Sequence, residues 1–382
     1  LPLLIFFTLF FSLFSADIYR IYIDESGNCF PGEPLLTVLE NEDAPGILAE
    51  YLDLEEYHVR REGQISYVSP ISGTGYIPVL SFHKLGDKDN FELQKERFEE
   101  LLIYLNENSF YVIRDLQYIE EDYTHVPNGH KIVVMGSDDG SKGVFYYKTE
   151  GDLKTGNIPM KNGEFLISDE SMVYYLDKYL EKEMGKGNFT FYLTFDAIPF
   201  RQTGGEYNPG TPYLGMNVVK SKLDYLSTNY YLGNHTQNHL YSEDLSELEF
   251  IRELNGFYRV LESYEINIKS IETMAYSFGI GELSEEREET LDFYNYKGTY
   301  IKGAFDYNGY FASPLNQKKD NPLDVSRIGV DNKSYSKIMT LLENVDIFRS
   351  GRVVLVHSEQ YPFDLSSLNL NRDDLNYILI GN

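Results

Sequence analysis

Short apolar runs alternate with polar stretches of helical spacing along most of this chain. Ile77-Pro78-Val79-Leu80-Ser81-Phe82 reads as a strand, followed by a loop over His83-Lys84-Leu85-Gly86-Asp87. Phe91, Phe98, Leu101, Leu102 and Leu105 then mark one face of an amphipathic helix through Asn106. Phe110-Tyr111-Val112-Ile113 and Lys131-Ile132-Val133-Val134-Met135 are the next strands. Helices are expected over 171–183, 218–226 and 245–264, with a strand over 190–195 between the first two. Thr273-Met274-Ala275-Tyr276-Ser277 and the run from Arg352 to Val356 are late strands. No internal repeat or low-complexity segment interrupts the pattern.

Strands alternating with helices predict an α/β fold, a mainly parallel sheet with helices outside. Ligands in such folds sit at the carboxyl ends of the strands. The first 75 residues do not follow this rhythm. Leu1 to Phe14 is almost wholly apolar and ends in Ser15-Ala16. That reads as a signal peptide or N-terminal anchor over 1–16, short of the roughly 20 residues of a membrane span. Ile18 to Ile23 alternates like a strand, Leu35 to Leu54 is expected to be partly helical, and Ser72-Gly73-Thr74-Gly75 reads as a turn or linker. Residues 17–75 therefore form an N-terminal extension, and 76–382 a single main domain. The leader places the bulk of the protein outside the cytoplasm, whether secreted, periplasmic or at the cell surface.

Charge narrows the partners. Of 382 residues, 33 are basic and 60 acidic, a formal net charge of −27. Such a field repels a phosphate backbone, so nucleic acid is excluded as a partner, and a membrane enters only through the N-terminal anchor. The single cysteine, Cys29, rules out an intrachain disulfide or a thiolate cluster. Tyrosine is abundant at 33 residues while tryptophan is absent, and exposed tyrosines are suited to stacking on sugar rings.

Two short motifs carry chemistry. Gly136-Ser137-Asp138-Asp139-Gly140 places adjacent carboxylates just after an apolar strand. His235-Thr236-Gln237-Asn238-His239 places two imidazoles four residues apart, a spacing that puts both on one face of a helix. Together they offer three ligands for one divalent metal and one carboxylate to act as a base, the parts of a metal-dependent hydrolase. The bland readings are an Asp-Asp-Gly turn and an exposed helix that happens to carry two histidines.

These motifs resemble those of the polysaccharide deacetylases, the carbohydrate esterase group typified by chitooligosaccharide deacetylases. That family has a strand ending in Thr-Phe-Asp-Asp-Gly, matched by residues 136–140, and a His-Ser/Thr-x-x-His motif, matched by residues 235–239. Ile77 to His83, with Phe91, Gln94 and Phe98, is similar to the lead-in of secreted bacterial members. Thr190-Phe191-Tyr192-Leu193 is similar to the strand that usually reads Ala-Thr-Phe-Phe. The resemblance spans about residues 76–357 and implies a distorted (β/α) barrel. It assigns Asp139, His235 and His239 as metal ligands, most often for zinc, and Asp138 as the catalytic base. It also matches Val354-Leu355-Val356-His357 to the last family motif, making His357 the general acid. The implied reaction removes N-acetyl groups from an extracytoplasmic polysaccharide.

The chain departs from the family in several places. Residues 141–187 look like an insertion. Ala275-Tyr276-Ser277-Phe278-Gly279 stands where the family carries Arg and Pro, and Arg327 is a candidate for the missing cation. Thr194-Phe195-Asp196 imitates the first motif but has only one carboxylate. These departures leave two rival readings, a non-catalytic glycan-binding or cell-envelope protein on the same scaffold, and an O-acetyl esterase. Neither the particular glycan nor the oligomeric state follows from the sequence.

Overall fold

The computed structural model describes residues 15–23, 29–39, 57–62, 65–70, 77–88, 90–123, 125–127, 130–140, 144–148, 160–161, 164–180, 184–195, 216–279, 284–307, 321–343, 345, 353–358 and 376–381. The apolar leader lies outside them except for Ser15 and Ala16, which begin a strand, and so do the 72–75 linker and Asp196. No described helix is long and apolar enough to cross a membrane.

The chain forms two compact units. One comprises 75–120 and 131–347, the other 1–74, 121–130 and 348–382. The first is built on a sheet in the order Val325–Ser326, Gly303–Asp306, Thr273–Ala275, Tyr231–Asn234, Thr190–Leu193, Lys131–Ser137, Val79–Phe82 and Ile328–Gly329, with Phe110–Ile113 also paired to Lys131–Ser137. Every pairing is parallel. The strands at the two ends of this order belong to one segment interrupted only by Arg327. Phe305 pairs with Val325 on one side of that break, and Leu80 with Ile328 on the other. The sheet thus nearly closes on itself as a (β/α) barrel, with all strand carboxyl ends at one rim.

Helices Lys95–Glu107, Met172–Tyr179, Met216–Asn229, Glu247–Ser263 and Ser284–Asp292 recur between the strands, as the alternation predicts. The first four hold an apolar stripe against the barrel, whereas Ser284–Asp292 buries Arg287, Thr290 and Leu291. Phe98, Leu101, Leu102 and Leu105 are buried on the first, and Phe250, Leu254, Phe257, Tyr258 and Leu261 on the fourth. Glu249 starts that fourth helix by accepting the backbone N–H of Ser246 at 2.9 Å. Phe91, expected on the first helix, lies before it. Glu92–Leu93 pairs with Lys84–Leu85 instead, so the helix begins only at Lys95. The 141–187 segment contains Met172–Tyr179, one of the helices between barrel strands, and contributes Val144, Phe145 and Tyr147 to the core.

Tyr192 sets a large ring close against the strands on either side of it. A Cβ on Gly233 would lie 2.2 Å from the Tyr192 ring, and one on Gly136 3.0 Å from it. Glycine on the two neighbouring strands is what lets a tyrosine stand there. Its hydroxyl donates to Asp115 at 2.7 Å, and Thr273 donates to the same carboxylate oxygen at 2.5 Å.

The second unit holds a six-stranded sheet in the order Cys29–Leu39, Ser15–Ile23, Asn376–Gly381, Val353–Ser358, Ile65–Pro70 and Tyr57–Glu62. Residues 35–39, the start of a stretch expected to be partly helical, are strand. Val353–Ser358, expected as a late strand of the main domain, pairs with Ile65–Pro70 and Asn376–Gly381 in this sheet. An apolar strand carries no mark of which sheet it will join, so the sequence pattern alone did not separate the two.

Candidate metal centre

Asp138 and Asp139 follow the strand Lys131–Ser137, and His235 follows Tyr231–Asn234, so all three stand at the carboxyl rim of the barrel. The chain turns sharply at both places. Asp139 has φ 70° and Gly140 φ 62°, which swings the second carboxylate back over the rim. The two histidines do not share a helix, contrary to the spacing argument. They lie on a loop in which Thr236 (φ 63°) and His239 (φ 51°) adopt the left-handed conformation. Asn234 sets the first turn by accepting the Thr236 N–H at 2.8 Å. Ser277 holds the loop from the next strand end, donating to the His235 carbonyl at 3.1 Å and lying 3.0 Å from the Thr236 hydroxyl. Left-handed backbone at non-glycine residues costs on the order of 1 kcal/mol each, so the loop is held by these contacts rather than by its own preference.

The loop brings three ligand atoms together. Asp139 Oδ1 is 3.3 Å from His235 Nε2 and 3.1 Å from His239 Nε2, and the two nitrogens are 3.2 Å apart. His235 Nδ1 donates to the Ala275 carbonyl at 2.8 Å, since a carbonyl only accepts. In the neutral ring, Nε2 then carries a lone pair aimed at a carboxylate oxygen. Two acceptors face each other, and a positive centre between them resolves the clash. Titration points the same way. Burial disfavours charge on His235, but the hydrogen bond to Asp139 and the charges of Asp138 and Asp139 together outweigh it and hold the imidazole above its usual pKa. Burial likewise works against the Asp139 carboxylate, and His235 and His239 override it, holding it well below the usual range.

A tetrahedral zinc with ligands at about 2.0–2.2 Å has edges of roughly 3.3–3.6 Å. The observed triangle nearly matches one such face. The donor set suits a divalent cation, and the His235-to-carbonyl bond is the usual outer support of a metal-bound imidazole. Among the described residues, this is the group of histidines and carboxylates that converges in this way.

Asp138 is held differently. It is buried, and Arg327 grips it with both ends of its guanidinium, Nη1 to Oδ1 at 2.7 Å and Nη2 to Oδ2 at 2.9 Å. Ser81 adds a donor to Oδ2 at 3.3 Å. Arg327 is itself buried, donates from Nε to the Asp306 carbonyl at 3.2 Å, and lies over the Tyr192 ring at 5.5 Å. Burial pushes the Asp138 carboxyl up, but the Arg327 charge beside it leads the opposing effects and holds it below its ordinary value. The cation absent from residues 275–279 is thus supplied at the barrel seam.

His83, named in the sequence only as part of a lead-in, is also at this rim. It follows the strand Val79–Phe82, and burial lowers its pKa against the pull of Asp138 and Asp139. Its position directly after a buried strand was the signal available. His357 is on the strand Val353–Ser358 of the other unit's sheet, with Ile380 as its neighbour across the pair, and not on this barrel. Exposed aromatics flank the ligands. The Phe278 ring is 4.5 Å from that of His239 and stacks on Tyr241 at 3.9 Å.

No protein-family model matches the sequence, and no curated protein matches it. Solved structures do. The chain is similar to the Streptococcus pyogenes deacetylase PplD in complex with acetate, at 14% identity over 72% of this chain and 100% of that one, with a TM-score of 0.47. It is similar to IcaB from Ammonifex degensii at 16% identity over 70% and 97%, with a TM-score of 0.45. A de-N-acetylase from Aggregatibacter actinomycetemcomitans is similar at 13% identity over 69% and 98%, with a TM-score of 0.43.

Proposed function

We propose that this protein is a metal-dependent hydrolase that removes N-acetyl groups from an extracytoplasmic polysaccharide. The observation that carries the reading is the pairing of two unlike aspartates at one rim. Asp139 converges with His235 and His239 on a point that calls for a cation, while Asp138 is kept ionised and fixed by Arg327. The choice of an acetylated glycan rests on the family resemblance of residues 136–140 and 235–239, and the extracytoplasmic setting on the apolar leader.

Asp139, His235 and His239 would hold the metal, with zinc the ion best suited to two imidazoles and one carboxylate. When bound, such an ion supplies Lewis acidity, lowering the pKa of water from about 16 towards about 7 and polarising a carbonyl. Asp138 takes a proton from the attacking water. Each of its oxygens keeps a lone pair beyond the one that Arg327 engages. Water oxygen joins the acetyl carbon, the carbon–nitrogen bond breaks, and the sugar nitrogen leaves as an amine after gaining a proton. We assign that proton delivery to His83 in its protonated form, which Asp138 and Asp139 favour against burial, in place of His357. The products are acetate and a free amino sugar.

The test is acetate release from N-acetylated glycans by metal-loaded protein. Asp138→Asn should retain the metal and lose turnover, whereas Asp139→Ala should lose the metal. Unchanged metal affinity in Asp139→Ala contradicts the assignment.

A further inference from the structure

A cleft of about 510 Å³ opens beside the metal centre, lined by Phe91, Tyr307, Gly329, Asp331, Lys333 and Lys337 among others. Two aromatic rings adjoin His83, Phe91 at 5.0 Å and Tyr307 at 5.8 Å between ring centroids. Both are presented to solvent, Phe91 at 52% exposure and Tyr307 at 37%. Neither is placed casually. Phe91 sits at φ 59°, a conformation disfavoured for an aromatic residue, with its N–H 3.3 Å from Asp331 Oδ2. Tyr307 crosses the strand at Gly329, where a Cβ would fall 1.7 Å from its hydroxyl oxygen. The backbone has been bent at one ring and stripped of a side chain under the other. The result is two apolar faces around a space next to the reacting groups.

On balance the charges that line the cleft are opposite in sign to the net charge of the chain. Lys333 and Lys337 are four residues apart, one just before the helix Tyr335–Glu343 and one in its first turn, and among the described residues neither forms an ion pair. The one carboxylate in the lining, Asp331, is engaged by the N–H groups of Phe91, Lys333 and Ser334. Two ammonium groups against one hydrogen-bonded carboxylate leave a local positive excess on a chain whose net charge is −27. Aromatic faces recognise the C–H face of a sugar ring, and the lysines recognise an anion.

We propose that this cleft is a sugar subsite adjoining the metal centre, and that it selects a residue bearing a carboxylate or phosphate. The substrate is then an acidic polysaccharide, with the anionic sugar next to the one that loses its acetyl group. The inference rests on the deacetylase reading for its turnover test but not for its binding test.

Three matched N-acetylated oligosaccharides separate the outcomes, one containing a uronic acid, the same compound with its carboxyl reduced, and one carrying a phosphate. Wild-type protein should favour an acidic compound over the neutral one by about tenfold in kcat/KM, roughly what two exposed ion pairs supply. That preference should shrink as salt is added. The Lys333→Met/Lys337→Met variant should lose it, chiefly through a higher KM for the acidic compound. Gly329→Ala, which displaces the Tyr307 ring, should weaken the neutral and acidic compounds alike. The favoured acidic compound identifies the anion as carboxylate or phosphate. Equal kcat/KM for all three compounds, or a preference that survives the double lysine variant, overturns the proposal. Calorimetric binding of the same compounds decides the matter without catalysis. Selective, lysine-dependent binding with no acetate release refutes the deacetylase reading and leaves the subsite standing.

Discussion

Arg327→Met removes the most consequential contact at the rim. Arg327 and Asp138 are both nearly inaccessible to solvent, at 2% and 3% exposure, and are joined by two bonds of 2.7 and 2.9 Å. Breaking such a pair from one side leaves an unpaired buried charge, a loss of about 3–5 kcal/mol if the carboxylate stays ionised. The carboxyl will instead take up a proton. In the wild type burial raises the Asp138 pKa, and the Arg327 charge leads the opposing effects, with His235 and His83, that together set it below its ordinary value. In the variant burial is unopposed by that charge, so the pKa rises. The sign follows. A depressed carboxyl contributes stability above its unfolded pKa of about 3.9 and loses it as pH falls through the folded value. Arg327→Met should therefore flatten the acid side of the stability curve, and it should move the acidic limb of the kcat/KM profile to higher pH. Arg327→Lys should restore part of that limb while still losing about a hundredfold in kcat, because one ammonium does not fix the carboxylate as a fork does. The assay is acetate release from pH 4 to 9 on metal-loaded protein, with metal content measured in each variant. A kcat/KM profile for Arg327→Met that overlays the wild type would refute Asp138 as the base under Arg327 control.

Three further outcomes are expected. Asn234→Ala leaves the Thr236 N–H without its 2.8 Å acceptor, and should weaken metal binding by about 10–100-fold in a competitive chelator titration without abolishing folding. His83→Gln should lower kcat while leaving metal affinity near wild type, and His357→Gln should leave kcat unchanged, both read from steady-state kinetics. Lys222 is fully buried, donates to the Phe145 carbonyl at 2.6 Å, and is pulled down to about 7 by burial. Between about pH 7 and 10 the unfolded lysine binds the extra proton, so its burial penalty fades as pH rises. The stability gained by Lys222→Met should accordingly be largest below pH 7 and shrink towards pH 10 in denaturant titrations.

The fold was legible because its signals are local. Each barrel strand is a short apolar run and each helix an apolar stripe, so alternation alone implied a parallel sheet with helices outside. The Asp pair and the His pair were legible for the same reason, since each lies within five residues. Their backbone was not. The imidazoles meet through left-handed turns at Thr236 and His239, set by contacts from Asn234 at the end of their own strand and from Ser277 just beyond the next one, and no spacing rule encodes that. Arg327 is 189 residues from Asp138, and only barrel closure at the 325–329 seam joins them. The sheet that His357 joins was not legible, because an apolar strand ending in histidine looks alike in a parallel barrel and in the mixed sheet where it lies. His83 ends such a strand too, and it is the one on the barrel.

The central claim is that Asp139, His235 and His239 hold one divalent cation beside Asp138. Anomalous diffraction at the zinc edge, from crystals of zinc-loaded protein, tests it most directly. The account predicts one strong peak at about 2.0–2.2 Å from Asp139 Oδ1, His235 Nε2 and His239 Nε2. No peak at that point, or a peak bound by other residues while these three remain hydrogen-bonded to one another, would contradict it.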